Sequence, residues 1–318
     1  MNSILLDYIR PVTDEDKDLP QYSHSRLECY INCPYQFDLK YNQKKTSEDT
    51  TIALEMGSLC HRVLELKGQM LKDSKPVDYK YLFDVLDKGE EGMLGVKGLK
   101  MKYWETFNEA DSEGRTYSDK LQIFEQILKT EMQNSDWSVY GLEVPFKFVY
   151  ENKYVLHGFI DRIDSRINNK GETEYRLIDY KTSKKVFDET KNKTSQQFSI
   201  YNMALLLMTG QLAVENIYRF ILIDAEQKAL SSGWEKRIIS KLDKTFGSIE
   251  EGYSSKLWKP RYSPLCFYCN YSRTNPEAKA YKNECEYYSK WTPTNKDFSV
   301  NKEWNPELNQ KTKKAFDW

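Results

Sequence analysis

The sequence of 318 residues has no surplus of either charge: 47 Lys and Arg stand against 48 Asp and Glu, a net charge of −1. This excludes a strongly basic coat protein and an acidic tail, although a local basic face can sit inside a balanced total. There is no run of about 18 apolar residues, so a membrane-spanning helix and a membrane role are not expected. The start, Met1 to Asp7, has neither a basic segment nor a long apolar one, so no secretory signal is expected. The expected setting is cytoplasmic, in a bacterium or in a phage's host. In such a reducing compartment the six cysteines serve metals or packing rather than disulfides. Repeats and low-complexity segments are absent. So is a G-x-x-x-x-G-K-[ST] loop, so any helicase motor is expected on a separate protein.

What is present is a polar, foldable chain. Charged residues make up 30% and mean hydropathy is −0.75, yet aromatics reach 14% with 23 Tyr. Disorder-prone chains are poor in aromatics. The length suits one large domain or two smaller ones. Residues 1–20, with the acidic stretch Asp14 to Asp18, read as a loosely held arm. Residues 21–136 read as a helical region. Within it, Leu27, Ile31 and Phe37 share a face broken at Pro34, and a second helix runs from Thr51 to Leu71. Residues 79–135 also carry helical spacing, with a break at Gly92–Gly98. Residues 137–257 form the core: strands at 139–150, 154–167 and 174–181, a helix at 195–209 ended by Gly210, a strand at 216–223 and a helix at 234–250. Residues 258–318 form an aromatic, cysteine-containing C-terminal segment. The order predicts an α/β fold with a mixed sheet and a helical insertion.

The chemistry concentrates at Asp161, Asp179 and Lys181. In Ile178-Asp179-Tyr180-Lys181 the acid and the amine are two apart, so on a strand they share a face. If the meander pairs in order, Asp161 on the preceding strand lies beside Asp179. Two close carboxylates repel and each titrates upward, a conflict that a divalent cation removes. Oxygen ligands suit Mg²⁺ or Mn²⁺, which lower the pKa of bound water and neutralise a phosphate oxygen. Lys181 then stabilises charge at phosphorus. The plainer alternative is a surface Asp–Lys pair on an edge strand. Asp164 is expected to face away from Asp161 and to pair with Arg162 or Arg166.

Five pieces occur in order: Ser23-x-Ser25-x-Leu27 with Cys33-Pro34-x-x-Phe37; Gly57-Ser58-Leu59-Cys60-His61; Gly158-x-x-Asp161; Asp179-Tyr180-Lys181; and Gln197-Phe198-Ser199-Ile200-Tyr201. Over about residues 22–290 this set resembles the RecB-type branch of the PD-(D/E)XK nuclease superfamily. The resemblance implies a restriction-endonuclease-like mixed sheet flanked by helices. It implies His61, Asp161 and Asp179 as metal ligands and Lys181 as the catalytic lysine. Gln197 and Tyr201 become a DNA-contacting pair on one helix face, at i and i+4. Gln196 lies about 100° around that helix. Glu143 is an accessory candidate on the first core strand, or a solvated strand carboxylate. His61 alone would read as a partly buried polar residue. His24 and His157 are assigned no chemistry.

Cys266-Phe267-Tyr268-Cys269 with Cys285 and the distant Cys33 resembles the iron–sulfur subgroup of these nucleases, which includes AddAB-type and CRISPR spacer-acquisition enzymes. The resemblance implies a [4Fe–4S] cluster on four thiolates. Zinc and plain reduced thiols are the alternatives. The stretch Asn270 to Glu284 is an apparent insertion that separates Cys285 from its partners and leaves Cys29 as a rival ligand. Cys60 reads as a core thiol. Lys181, Lys184, Lys185, Lys191 and Lys193 offer a phosphate track, and the tail aromatics offer stacking for single-stranded DNA or packing. The expected function is a metal-dependent DNA nuclease, an exonuclease on single-stranded or resected DNA, working in recombination, repair or phage DNA processing beside a separate helicase or recombination protein. The alternatives are a catalytically inactive DNA-binding scaffold subunit and an RNA nuclease.

Overall fold

The computed structural model describes residues 3–46, 52–88, 136–183, 185–276, 278 and 280–307. The chain forms two compact units, Met1–Gln21 with Thr50–Ile238, and Tyr22–Asp49 with Ile239–Trp318. Each is therefore built from separate stretches of sequence.

The first unit is organised on a mixed sheet. Its strands are β1 (Ile9–Pro11), β3 (Ser138–Tyr150), β4 (Tyr154–Ile167), β5 (Thr173–Lys181), β6 (Glu215–Phe220) and β7 (Ala225–Lys228), while β2 (Gln21–Ser23) marks the chain's passage to the second unit. The spatial order is β1-β3-β4-β5-β6-β7. The expected meander is present: β3 pairs β4 and β4 pairs β5, both antiparallel. β5 and β6 run parallel, so the chain must cross over between them. It does so through the short α5 (Glu189–Lys193) and the longer α6 (Gln196–Thr209). Helix α6 is capped by Ser195 and stopped by Gly210 at φ 76°. That left-handed conformation suits glycine.

Helix α3 (Ile52–Lys72) lays Cys60, Val63 and Leu64 against Ile178, Tyr180, Ile217 and Ile221 of the sheet side, with Leu82 and Val85 of α4 (Tyr79–Lys88). Cys60 is the buried core thiol expected of it. Helix α6 is buried nearly all round, with Phe198, Ile200, Met203 and Leu205 fully covered. The helical spacing in 89–135 lies outside the described residues, as does Lys184 of the lysine track.

Two segments differ from their sequence reading. The arm is not loose. Ile9, Arg10 and Pro11 pair with Tyr150, Val149 and Phe148. Leu5 and Ile9 are buried, and Arg10 holds Asp16 through two bonds of 2.7 Å. The strand expected to reach Ile223 stops at Phe220, where Ile221–Ile223 makes a 3-10 turn and Asp224 adopts φ 48°. The chain then returns as β7, a short charged edge strand of the kind that discourages further pairing.

The second unit holds α1 (His24–Asn32), α2 (Pro34–Phe37), most of α7 (Trp234–Ser255) and the C-terminal segment. Pro34 sits at the first position of α2, where its missing N–H costs nothing. Leu27, Tyr30, Phe37, Phe246, Ile249 and Trp258 form the core here, with Tyr30 and Phe37 both against the Trp258 ring. Gly252 admits that ring: a Cβ there would come within 2.6 Å of it. Gly252→Ala should therefore cost about 1–3 kcal/mol through overpacking, measured as a lowered denaturation midpoint.

Candidate active site

Three acids from adjacent strands are crowded into one row. Leu142 pairs with Arg162 and Val144 with Ile160, which sets Glu143 opposite Asp161. The β4–β5 ladder ends at Arg162 and Ile178, which leaves Asp161 and Asp179 on the two strands just beyond its end, close enough for each charge to act on the other. Asp179 in turn lies beside Tyr218 of β6. Like charges facing one another across strands are destabilising, so this row needs partners.

The partners are specific. Asp161 Oδ2 accepts the Tyr180 N–H at 2.9 Å. His61, from α3, puts Nδ1 at 3.3 Å from Asp161 Oδ2 and 3.8 Å from Glu143 Oε1. Its other nitrogen, Nε2, lies 3.1 Å from the Tyr180 carbonyl oxygen. A carbonyl only accepts, so Nε2 carries a hydrogen, and Nδ1 is the nitrogen turned toward the two carboxylates: it donates to them when the ring is protonated and is the one free to ligate when the ring is neutral. Glu143 reaches the row from a backbone at φ 42°, a strained setting for a residue other than glycine.

Asp179 belongs to a second, adjoining network. Its Oδ1 accepts Gln197 Nε2 at 2.6 Å and Tyr201 O–H at 3.4 Å. Its Oδ2 sits 2.5 Å from Lys181 Nζ. Lys181 also donates to Gln197 Oε1 at 3.1 Å, and Gln197 Nε2 reaches Tyr201 Oη at 2.9 Å. Gln196 points elsewhere, and its buried amide has no partner among the described residues. The ammonium of Lys181 lies 5.4 Å from the Tyr218 ring centre.

The trio whose ligand atoms lie within 4.8 Å of one another is His61, Glu143 and Asp161. Two of the expected ligands, His61 and Asp161, lie in this trio together with the accessory candidate Glu143; the third, Asp179, adjoins it and is engaged by Lys181, Gln197 and Tyr201. The positive φ that brings Glu143 in leaves no mark in the sequence. Asp164 faces away as expected. It is fully buried and takes Arg162 at 2.7 Å, but its other partner is Arg176 rather than Arg166.

Protonation follows from this crowding. Burial, then Asp179, raises the Asp161 carboxyl to about 7. Burial opposes charge on His61, but Glu143 and Asp161 outweigh it and raise the imidazole to about 8. Burial beside Asp179 also raises the Tyr201 hydroxyl. Two carboxylates and one imidazole at this spacing are a donor set for Mg²⁺ or Mn²⁺.

In the second unit, Cys33, Cys266, Cys269 and Cys285 line one cavity of about 420 Å³, counting its open mouth, together with Tyr35, Arg261 and Tyr287. Cys29 is not among the lining residues. The Asn270–Glu284 insertion does not carry Cys285 away, because the Cys285 N–H donates to the Tyr271 carbonyl at 2.9 Å and Ser272 bridges to Cys285. Glu284 pairs with Lys45 at 2.5 Å, and the Tyr271 hydroxyl donates to the Lys45 carbonyl at 2.6 Å. Burial raises the thiol of Cys33, and that of Cys269 to about 12. The Arg261 N–H lies 3.4 Å from Cys33 Sγ.

The sheet, the row of acids and the Gln197–Tyr201 helix define a nuclease fold, and the family model agrees: residues 21–274 match the PD-(D/E)XK nuclease superfamily, and the chain belongs to it. Among curated relatives it is similar to an ATP-dependent helicase/deoxyribonuclease subunit of Clostridium perfringens, 29% identical over 241 residues, covering 68% of this chain and 20% of the relative. A protein of the same name from Carboxydothermus hydrogenoformans is 33% identical over 184 residues, covering 50% of this chain and 16% of that protein. The chain thus spans about a fifth of the length of these relatives.

The metal-free site should show a definite pH response. Asp161 binds its proton more tightly folded, at about 7, than at its ordinary 3.8. His61 does the same, at about 8 against 6.5. Stability present below these ordinary values is lost as pH rises through the folded ones. Metal-free protein should therefore lose melting temperature between about pH 4 and pH 8, and Asp161→Asn should flatten the part of that loss due to Asp161. Calorimetric Mn²⁺ titrations in buffers of different ionisation heat should show proton release, with affinity rising over the same span.

Proposed function

We propose that the protein is a metal-dependent DNA nuclease that hydrolyses phosphodiester bonds. The observation that carries this is the His61–Glu143–Asp161 trio directly beside the Asp179–Lys181–Gln197–Tyr201 network. His61, Glu143 and Asp161 would hold a divalent ion, which would supply an activated water and a positive counter-charge to the phosphate. The row of acids continues to Asp179, whose carboxylate holds Lys181 in place and completes the acidic wall of the site. Lys181 remains partly exposed, so its ammonium is available to a phosphate oxygen as negative charge builds at phosphorus. In the reaction, water gives up a proton as its oxygen bonds to phosphorus, the phosphorus–oxygen bond to the leaving sugar breaks, and the leaving oxygen gains a proton, so that one water is consumed. Gln197 and Tyr201 orient Asp179 and Lys181; Tyr201 is buried, so of the two only the half-buried Gln197 is left to face the incoming strand.

Deoxyribonuclease is the half of the relatives' name that these residues support. A separate helicase partner, exonuclease action and a place in recombination or repair follow from the same likeness. They form the wider part of the proposal, as does work in the cytoplasm; no described helix is long and apolar enough to cross a membrane.

We also infer that Cys33, Cys266, Cys269 and Cys285 hold a [4Fe–4S] cluster. Four cysteines lining one cavity match its ligand count, and metal binding would displace the thiol protons. The cluster's part is to tie the second unit's two chain stretches together.

End-labelled single- and double-stranded oligonucleotides with Mn²⁺ test the first proposal. Wild type should cut, and Asp179→Ala and Lys181→Ala should each lose about 10²–10³ in rate while still binding. Equal binding by all three with no cleavage would leave a DNA-binding scaffold instead, and preference for RNA in a parallel assay would change the substrate. For the second, anaerobically purified protein should be brown with bound iron, and Cys285→Ser should bleach it while Cys29→Ser does not. Stoichiometric zinc in colourless protein would remove the cluster.

A further inference from the structure

One large apolar side chain near the row of acids has no structural reason to be exposed. Phe159 is 58% exposed, whereas its neighbour Ile160 is fully buried. It makes no ring contact with the described residues, while the exposed Tyr140 packs edge-on against Tyr175. Strand alternation puts Phe159 on the same side of β4 as Asp161, two residues and about 7 Å away. Directly across the ladder from Phe159 is Pro145, also exposed. One further step along, the exposed Lys147 lies directly across from His157. Moving away from the acids, the ribbon therefore presents an apolar row and then a row carrying a cation.

We propose that Phe159, flanked by Pro145, is a stacking platform for an unpaired base of the nucleotide next to the cleaved phosphate, and that Lys147 holds the phosphate beyond it. This deepens the nuclease proposal and rests on it for the location of the cleaved bond. The spacing is the argument. A single strand alternates phosphate and base along its length, and two-residue steps on a β-ribbon provide alternating cation and apolar contacts on a similar scale. An aromatic face can stack only on a base whose own face is open, and the bases of a duplex cover one another. The platform therefore selects a single strand, or a frayed end, over intact duplex. Any of the four bases will do, since each has a π-face, so preference for sequence is not expected. Phe159 is a positioning residue here; it touches substrate but none of the reacting atoms.

Binding and cleavage are measured with the full chain, using an oligothymidylate and an oligonucleotide carrying 2-aminopurine, with Ca²⁺ for binding and Mn²⁺ for cleavage. Phe159→Ala should weaken single-strand binding roughly 10- to 100-fold, the equivalent of one lost stacking contact. It should abolish 2-aminopurine quenching at one nucleotide position while the melting temperature and Mn²⁺ affinity stay at wild-type values. Phe159→Trp should restore binding, and its indole emission should be quenched by oligothymidylate. Equal single-strand affinity for wild type and Phe159→Ala, or equal losses on single strand and blunt duplex, would overturn the platform. Wild type that binds but does not cut would overturn the nuclease reading separately, and the Phe159→Ala binding ratio would still decide this one.

Discussion

The first unit answers to one electrostatic constraint above others: Glu143, Asp161 and Asp179, from three adjacent strands, are crowded together. Left alone, such crowding would be a strongly unfavourable way to build a sheet. The surrounding structure supplies a positive or hydrogen-bonding group for each acid. The Tyr180 N–H and His61 serve Asp161, His61 approaches Glu143, and Lys181, Gln197 and Tyr201 serve Asp179. The helices on the sheet are placed accordingly: α3 carries the imidazole and α6 carries the amide and the phenol. The pairing is incomplete at the Asp161 end, where the carboxyl keeps its proton to about 7. That residual cost is what the proposed cation would relieve.

The second unit solves a different problem. Its two stretches of sequence are far apart, yet Cys33 from one and Cys266, Cys269 and Cys285 from the other line one cavity. Backbone hydrogen bonding closes the base of the insertion, so its length does not change where Cys285 sits. The insertion is therefore a decoration on the cysteine site rather than an interruption of it.

How much of this can be read from residues alone depends on the kind of signal. The meander is legible because alternation and the turns at 151–153 and 168–171 are local. Asp179 and Lys181 are legible because parity on a strand is local too, and Gln197 and Tyr201 because i and i+4 fix a helix face. β1 escapes such a reading because three residues, one of them proline, carry no periodicity; only pairing with Phe148–Tyr150 makes them a strand. β7 escapes it because Ala225 to Lys228 is polar and short. Glu143 is visible as a candidate but not as a member of the trio, since its entry into the site depends on a backbone conformation at φ 42° that glutamate seldom adopts. The partition into two units is hidden because each is assembled from separate stretches of chain, a matter of long-range packing.

Phosphodiester hydrolysis at this site requires a hard cation bound at the trio. Crystals soaked in Mn²⁺ and measured at the manganese absorption edge should give an anomalous peak bonded to His61 Nδ1 and to carboxylate oxygens of Glu143 and Asp161. A peak elsewhere, or none at saturating Mn²⁺ with the row of acids as described, would contradict it.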